Sequence, residues 1–419
     1  MYNKREIMIF HMDLDCFFVS AHRIYDTNLS NKPVVVVKRN DREIFENRKH
    51  EVLNLNKGAF TGDIIVTKKE YDRSYFIENG KIRGIVVTSS YEARALGIKT
   101  GTTLKEALEI CPNLTVLLPN YKLYHTLSYK LKLFLKRRIP QIEQYSIDEF
   151  FGDVGGWVEE EDIFDFAKKL KKEIKEKFAL PISIGISKAK WIAKLATSYA
   201  KPDGIYKVDN IYEFIKNIPV EKFPGIGRKI EKKLKERGIF TLKDVVENKE
   251  YLYLWGKNGK ILYKRIIGED YEKVEEKEKR KSIGISRRFD PVFSREEIIR
   301  RIYILCRYLS FIIAKKRLNP TFYYLKIKYA SSKKSKSHKI IYRLFNELLL
   351  KDTMRELFIK ADIYEESIVS VSLSVSKFKK VSNLFDYEKD LKLSNLNNAL
   401  NKIRFRYGIS SIIGADEII

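Results

Sequence analysis

Two apolar runs in this chain carry carboxylates, and few folds accommodate that. Ile7-Met8-Ile9-Phe10-His11-Met12 reads as a buried strand and runs directly into Asp13-Leu14-Asp15-Cys16-Phe17-Phe18. Far downstream, Tyr145-Ser146-Ile147-Asp148-Glu149-Phe150-Phe151 sets two adjacent acids inside an apolar and aromatic run. A buried charge is costly unless something neutralises it. Neighbouring side chains of a regular strand point to opposite faces, so Asp148 and Glu149 converge only at a turn or bulge, a device common beside active sites. Taken alone, the pair reads as a hairpin tip with two solvated acids. A third carboxylate at the end of another core strand changes that reading, because three acids on two strands are what a divalent-cation site needs.

The 419 residues leave room for two to four domains. Lys plus Arg is 81 against 55 acids, a formal net charge of +26, and that excess points to a polyanionic partner, nucleic acid first. Lysines are scattered along the whole chain, so a composition bias accounts for part of it. The three cysteines, Cys16, Cys111 and Cys306, form neither a zinc pattern nor a disulfide framework, which fits a reducing, cytoplasmic setting. The N-terminus lacks a cleavage site after an apolar core, and no apolar run reaches the roughly 18 residues of a membrane span. Neither a signal peptide nor a membrane partner is expected.

The order of elements gives an α/β core with a mixed sheet. Asp15 stands where a cap for a helix over 17–24 is expected. Lys32 to Val37 and Ile85 to Thr88 read as strands, and Ser89 or Ser90 caps a helix beginning at Tyr91. Between them, residues 39–81 are polar and weakly periodic and look like an insertion. An amphipathic helix over 123–136, the carboxylate hairpin, a helix near 162–178 and the strand Pro181 to Ile186 follow. From about 209 the pattern changes to short helices around Phe223-Pro224-Gly225-Ile226-Gly227-Arg228-Lys229. Such a hairpin exposes backbone N–H groups at a helix start, where a phosphate sits without obstruction, although an ordinary helical turn has the same glycines. Beyond a charged tether, strands near 282–289, 321–329 and 367–375 alternate with helices near 294–316 and 342–360, giving a small α+β domain. The tail from about 383 is polar, with a helix near 394–406.

Six motifs then occur in one order: Asp13-Leu14-Asp15-Cys16-Phe17-Phe18, Tyr91-Glu92-Ala93-Arg94, Ser146-Ile147-Asp148-Glu149, Gly185-Ile186-Ser187-Lys188, Ala200-Lys201-Pro202-Asp203-Gly204 and Pro224-Gly225-Ile226-Gly227. Together, from about residue 7 to about 380, they resemble the Y-family translesion DNA polymerases, nearest the DNA polymerase IV type. The resemblance implies a multidomain right hand of α/β and α+β parts. It assigns the palm to 1–16 and 121–208, the fingers to 17–120, the helix–hairpin–helix thumb to 209–276, a linker to 277–283 and an α+β little finger to 284–382. Residues 383–419 are left as a C-terminal tail. The implied activity is that of a DNA-directed DNA polymerase, a nucleotidyltransferase of low fidelity acting as a monomer on primer–template DNA and dNTPs.

Carried over by position, the resemblance makes Asp13, Asp148 and Glu149, with the Leu14 carbonyl, ligands of two Mg²⁺ ions. Backbone N–H groups of Cys16 and Phe17 cradle the triphosphate, and Tyr91, Arg94 and Lys201 clamp it. Phe18 is the steric gate against ribose and Phe17 is core. Asp15 is a helix cap rather than a metal ligand. Gly225, Gly227, Arg228, Lys229 and Lys232 grip DNA. Departures concern the long 39–81 segment and the tail, where Leu384 and Phe385 alone are left of the family's sliding-clamp motif. Two other readings share parts of this pattern: an inactive DNA-binding scaffold of the same fold, and a helix–hairpin–helix nuclease. The first has no need of all three carboxylates, and the second no need of a triphosphate clamp.

Overall fold

The computed structural model describes residues 7–39, 43–45, 50–52, 65–67, 73–78, 80–276, 281–379 and 387–418. In chain order these form β1 (Ile9–Leu14), α1 (Phe17–Arg23), β2 (Val34–Lys38), β3 (His50–Val52), β4 (Ile65–Thr67), β5 (Ile77–Glu78), β6 (Lys81–Ile82) and β7 (Ile85–Ser89). There follow α2 (Tyr91–Ala95), α3 (Leu104–Ile110), β8 (Thr115–Leu117), α4 (Tyr121–Leu135), β9 (Gln141–Gln144), β10 (Glu149–Asp153), α5 (Ile163–Phe178), β11 (Ile182–Ser187), α6 (Lys190–Ala200) and β12 (Ile205–Lys207). Next come α7 (Ile211–Ile215), α8 (Arg228–Lys235), α9 (Leu242–Glu247), α10 (Lys249–Tyr253) and α11 (Lys257–Ile267). The last elements are β13 (Ser282–Val292), α12 (Arg295–Lys315), β14 (Pro320–Tyr329), β15 (Lys334–Ile340), α13 (Glu347–Ala361), β16 (Ile368–Phe378) and α14 (Tyr387–Tyr407). The chain divides into two compact units, one of residues 1–37 with 85–277 and the other of residues 38–84 with 278–419.

In the first unit a five-stranded sheet runs β12-β11-β1-β10-β9. Strand β1 lies at its centre, antiparallel to both neighbours. Its alternation sorts two faces. Phe10, Met12 and Leu14 join Phe150, Ile184 and Leu131 in a core closed by α4 and α5. Ile9 turns the other way, toward Phe151 and toward Ala193 of α6. Helix α6 fits against this second face because Gly185 has no side chain: a Cβ there would lie 2.2 Å from the Ala193 carbonyl oxygen. Trp191, Ile192 and Leu195 of the same helix enter the core of the α7–α11 helical region, so one helix serves two cores. A separate sheet, β7-β2-β8, packs its apolar residues with Cys16 and Val19.

The second unit contains the sheet β13-β16-β14-β15. Its inward positions, among them Ile285, Val371, Leu373, Leu325 and Ile327, are buried, and α12 and α13 pack against the sheet. Ser294 caps α12 through the Glu297 N–H, with Glu296 and Glu297 in the first turn where they favour the helix dipole. Strand β15 goes beyond the three strands expected from sequence. The segment read as an insertion contributes a 3₁₀ turn, Glu43–Phe45, to this unit: the Phe45 ring meets Phe289 at 5.8 Å, and Arg301 covers both rings.

The tail is longer in structure than its polarity suggested. Helix α14 starts at Tyr387, and the chain after it returns to α12 and α13. Glu417 is buried between Arg307 at 2.7 Å and Lys351 at 3.0 Å, Arg404 bonds Glu347, and Arg343 grips Asp390. Leu384 and Phe385, the expected clamp contact, lie outside the described residues. Glu417 is the carboxylate partner of buried Arg307, so Glu417→Ala strands that cation, while Lys351 keeps Asp416 at 2.8 Å. The expected cost to this unit is about 3–5 kcal/mol, typical of breaking a buried ion pair from one side, read from its transition in a urea melt. A change below roughly 0.5 kcal/mol, the level of an ordinary surface substitution, would show that the tail is not held this way.

Candidate active site and nucleic-acid surfaces

Asp13 and Glu149 are direct cross-strand partners of β1 and β10, on the face that α6 covers. Asp148 precedes β10 in a tight hairpin, with Tyr145 and Ser146 both donating backbone N–H groups to the Glu149 carbonyl. The Ser146 hydroxyl binds the Asp148 carboxylate and accepts the Glu149 N–H at 3.1 Å. The Leu14 N–H donates to the Asp148 carbonyl at 3.0 Å, which fixes the hairpin to the end of β1. The two strands thus bring all three carboxylates to one place, through the turn that their adjacency requires.

Crowding and burial set the charge state. Burial raises the Asp13 carboxyl to about 7, Lys201 pulls it down, and Asp148 and Glu149 push it up again. Burial also raises Asp148, opposed by its bond from Ser146. Two lysines offset the negative charge: Lys201 Nζ lies 2.7 Å from Asp13, and Lys194 of α6 pairs with Glu149. Sequence reasoning passed over Lys194. It also passed over His11, whose ring is bonded to Thr197 Oγ1 at 2.8 Å and held well below the ordinary histidine pKa by burial and then by Lys194. The signal was a polar residue in each buried stretch, His11 in β1 and Thr197 one helical turn after Lys194 in α6. With the carboxylates closed on lysines, no group of three or more His, Cys, Asp or Glu forms a ready metal cage among the described residues. The donor set remains oxygen-only and anionic, which suits a hard divalent cation.

Around the carboxylates stand the other expected residues. Helix α2 begins at Tyr91 because Ser90 accepts the Ala93 N–H, and Arg94 stacks on the Tyr91 ring at 5.1 Å. Lys201 follows α6 in a turn with a cis Lys201–Pro202 bond. Gly204 is required there, since a Cβ would lie 2.2 Å from the Ala200 carbonyl oxygen. Phe17 is buried in the core that packs against the five-stranded sheet. Phe18 is only partly covered, and its ring stacks on Tyr124 at 4.1 Å and 5°, with the edge of Tyr121 at 6.0 Å. Tyr124, braced by His22 at 2.8 Å, is another residue that the sequence did not single out.

Two expectations need correction. Asp15 does not cap α1. Cys16 occupies the cap position in a left-handed conformation, φ 45°, with no side-chain cap bond. The Asp15 side chain is instead buried among polar partners. The helix–hairpin–helix also has an unusual first arm, a 3₁₀ turn over Val220–Lys222, after which Gly225 takes φ +103° and Gly227 starts α8. Arg228, Lys229 and Lys232 are exposed on that helix.

A second basic surface lies on the C-terminal α+β domain, which the sequence reading also expected to bind duplex backbone without naming residues. On the solvent face of the second unit, pairing aligns Arg288, Ser370, Lys328 and Lys334 in one row, and Ser286, Ser372, Lys326 and Lys336 in the next. The alternation Ser370-x-Ser372-x-Ser374-x-Ser376 carried the signal.

Comparison with known proteins agrees with this layout. The impB/mucB/samB family matches residues 12–198, its helix–hairpin–helix motif 208–239 and its C-terminal domain 280–384. The DNA polymerase IV of Staphylococcus aureus strain JH9 is 29% identical over 308 residues, 72% of this chain and 75% of that one. Among solved structures, a Y-family chimera of the Dbh and Dpo4 polymerases shares the fold with a TM-score of 0.69 at 22% identity, covering 90% of this chain and all of that one. An insertion ternary complex of Dbh DNA polymerase gives 0.57 at 20% identity over the same shares. Three modules in the family's order, on the family's fold, lead to one assignment: the chain belongs to the Y-family of DNA polymerases, of the DNA polymerase IV or DinB type.

Proposed function

We infer that this protein is a DNA-directed DNA polymerase that extends primers across damaged templates, and that Asp13, Asp148 and Glu149 are its catalytic carboxylates. The observation that carries the assignment is their convergence beside Lys201, Tyr91 and Arg94. The residues fit two Mg²⁺ ions, held by the three carboxylates and the Leu14 carbonyl. Such ions supply charge stabilisation for the attacking and leaving oxygens of phosphoryl transfer and lower the pKa of the primer 3′-hydroxyl.

The chain's own groups do the rest. Lys194 and Lys201 hold Glu149 and Asp13 in the site, and the Lys201 ammonium can also pair with phosphate oxygens. Arg94, stacked on Tyr91, adds a fixed positive charge, and the first N–H groups of α1 at Cys16 and Phe17 lack intrahelical acceptors and suit a phosphate oxygen. Phe18 lies flat against Tyr124, so its ring presents a fixed wall beneath the sugar. DNA is gripped by Gly225, Gly227, Arg228, Lys229 and Lys232, and by the serine–lysine face of the C-terminal domain. A sliding clamp reached through Leu384 and Phe385 is a further proposed partner.

Three outcomes test this reading. Glu149→Ala is expected to abolish primer extension while leaving DNA binding intact, since binding rests on distributed cations; extension at the wild-type rate would refute the carboxylate assignment. Phe18→Ala should admit ribonucleotides in a single-nucleotide incorporation assay, whereas Phe17→Ala should leave selectivity unchanged and cost about 3–5 kcal/mol of stability. Replacing Lys229 and Lys232 by Ala should weaken binding equally on unrelated duplexes and reduce the slope of log K against log salt by nearly two. A loss confined to one sequence would point instead to base reading.

A further inference from the structure

Asp15 is as buried as the strand residues around it, with 1% exposure, yet neither the hydrophobic core nor the carboxylate cluster accounts for it. Its Oδ1 accepts a hydrogen bond from the Tyr91 hydroxyl at 2.9 Å. Its Oδ2 accepts from the Ser183 hydroxyl at 2.7 Å and from the Asp203 N–H at 2.8 Å. Lys201 Nζ stands 4.0 Å away. The partners come from three places in the first unit: Tyr91 opens α2, Ser183 lies in β11, and Asp203 belongs to the turn that carries Lys201. A buried carboxylate is tolerated only when its lone pairs are filled, and here they are filled by the groups flanking the proposed triphosphate site.

We propose that Asp15 is a positioning residue for nucleotide binding, fixing the Tyr91 phenol and the Lys201–Asp203 turn relative to Asp13 before the triphosphate arrives. The proposal rests on reading Tyr91 and Lys201 as triphosphate ligands. A phenol has one proton to donate, so Tyr91 redirects its hydrogen bond from Asp15 to a phosphate oxygen on binding. The bonds from Ser183 and Asp203 keep Asp15 and the Lys201 turn in place through that exchange. Holding the clamp in its bound arrangement reduces the ordering that nucleotide must otherwise impose.

Steady-state incorporation of a single dNTP on a primed template tests this. Asp15→Ala should raise KM for dNTP about tenfold with a smaller change in kcat, the size expected for a lost charge-assisted hydrogen bond. Asp15→Asn, which keeps one oxygen acceptor, should raise KM only about threefold, and in a Tyr91→Phe background it should add less than that, because interacting residues are non-additive. The Asn pair carries the test if the Ala variant does not fold. Multiplying effects of Asp15→Asn and Tyr91→Phe would overturn the proposal, as would an unchanged KM in Asp15→Ala. If Tyr91→Phe and Lys201→Ala themselves leave KM at the wild-type value, the clamp reading has failed instead.

Discussion

The site depends on helix α6 lying in direct contact with strands β1 and β11. The absence of a side chain at Gly185 permits that approach, since any Cβ would collide with the Ala193 carbonyl. Once seated, α6 sends Lys194 to Glu149, Thr197 to His11 and, just past its end, Lys201 to Asp13. Without those cations, three carboxylates at the ends of apolar strands would repel one another in a poorly solvated place. The same helix contributes Trp191, Ile192 and Leu195 to the neighbouring helical core. A substitution at Gly185 therefore disturbs the fold and the chemistry together.

The carboxylate cluster is held against its own preference. Asp13 titrates at about 7 in the fold, raised by burial first, whereas an exposed aspartate titrates near 3.9. Between those values the native chain retains a proton that the unfolded chain has released. Stability from this group is thus present at acidic pH and is lost as pH rises toward neutrality. A bound cation reverses the sign, since it favours the ionised form. The metal-free protein thus gives up stability toward neutral pH by burying acids close together, a cost common where function and folding compete for the same residues.

The parts legible in sequence were those where a local pattern broke a rule. Acids inside apolar runs, Gly-x-Gly before lysines and Ser before Tyr91 each violate or complete a local preference, and each marked its place in the structure. Asp15 was misread because an aspartate before a helix has the chemistry of a cap; the left-handed turn at Cys16 carries it past that position to partners 76 and 168 residues away. Strand β15 was missed because Lys334 to Lys339 has no apolar side to alternate with its polar one. Helix α14 inverts the usual rule altogether. Asp390, Asn397, Asn401 and Arg404 are its buried residues, while Leu396 and Ile403 face solvent. Amphipathicity orients a helix by hydrophobicity, and here ion pairs from Arg343 and Glu347 decide the orientation instead.

If the outer face of the C-terminal sheet binds DNA as proposed, its chemistry explains how it would hold the duplex without reading it. Serines fill the middle strand, where short side chains let a phosphate backbone approach the sheet closely. Lysines occupy β14 beside it and β15 beyond, where long flexible stems reach charge outward. Hydroxyls and ammonium groups contact phosphates in any sequence, and contacts of that kind position a protein without specifying bases. The proposed gate at Phe18 is the opposite case, a rigid aromatic fixed by a stacked neighbour, because excluding one hydroxyl would require a wall that does not give. On the proposed reading, tolerance toward the template and strictness toward the sugar are compatible in one chain, since flexible charge would serve the first and locked aromatic packing the second.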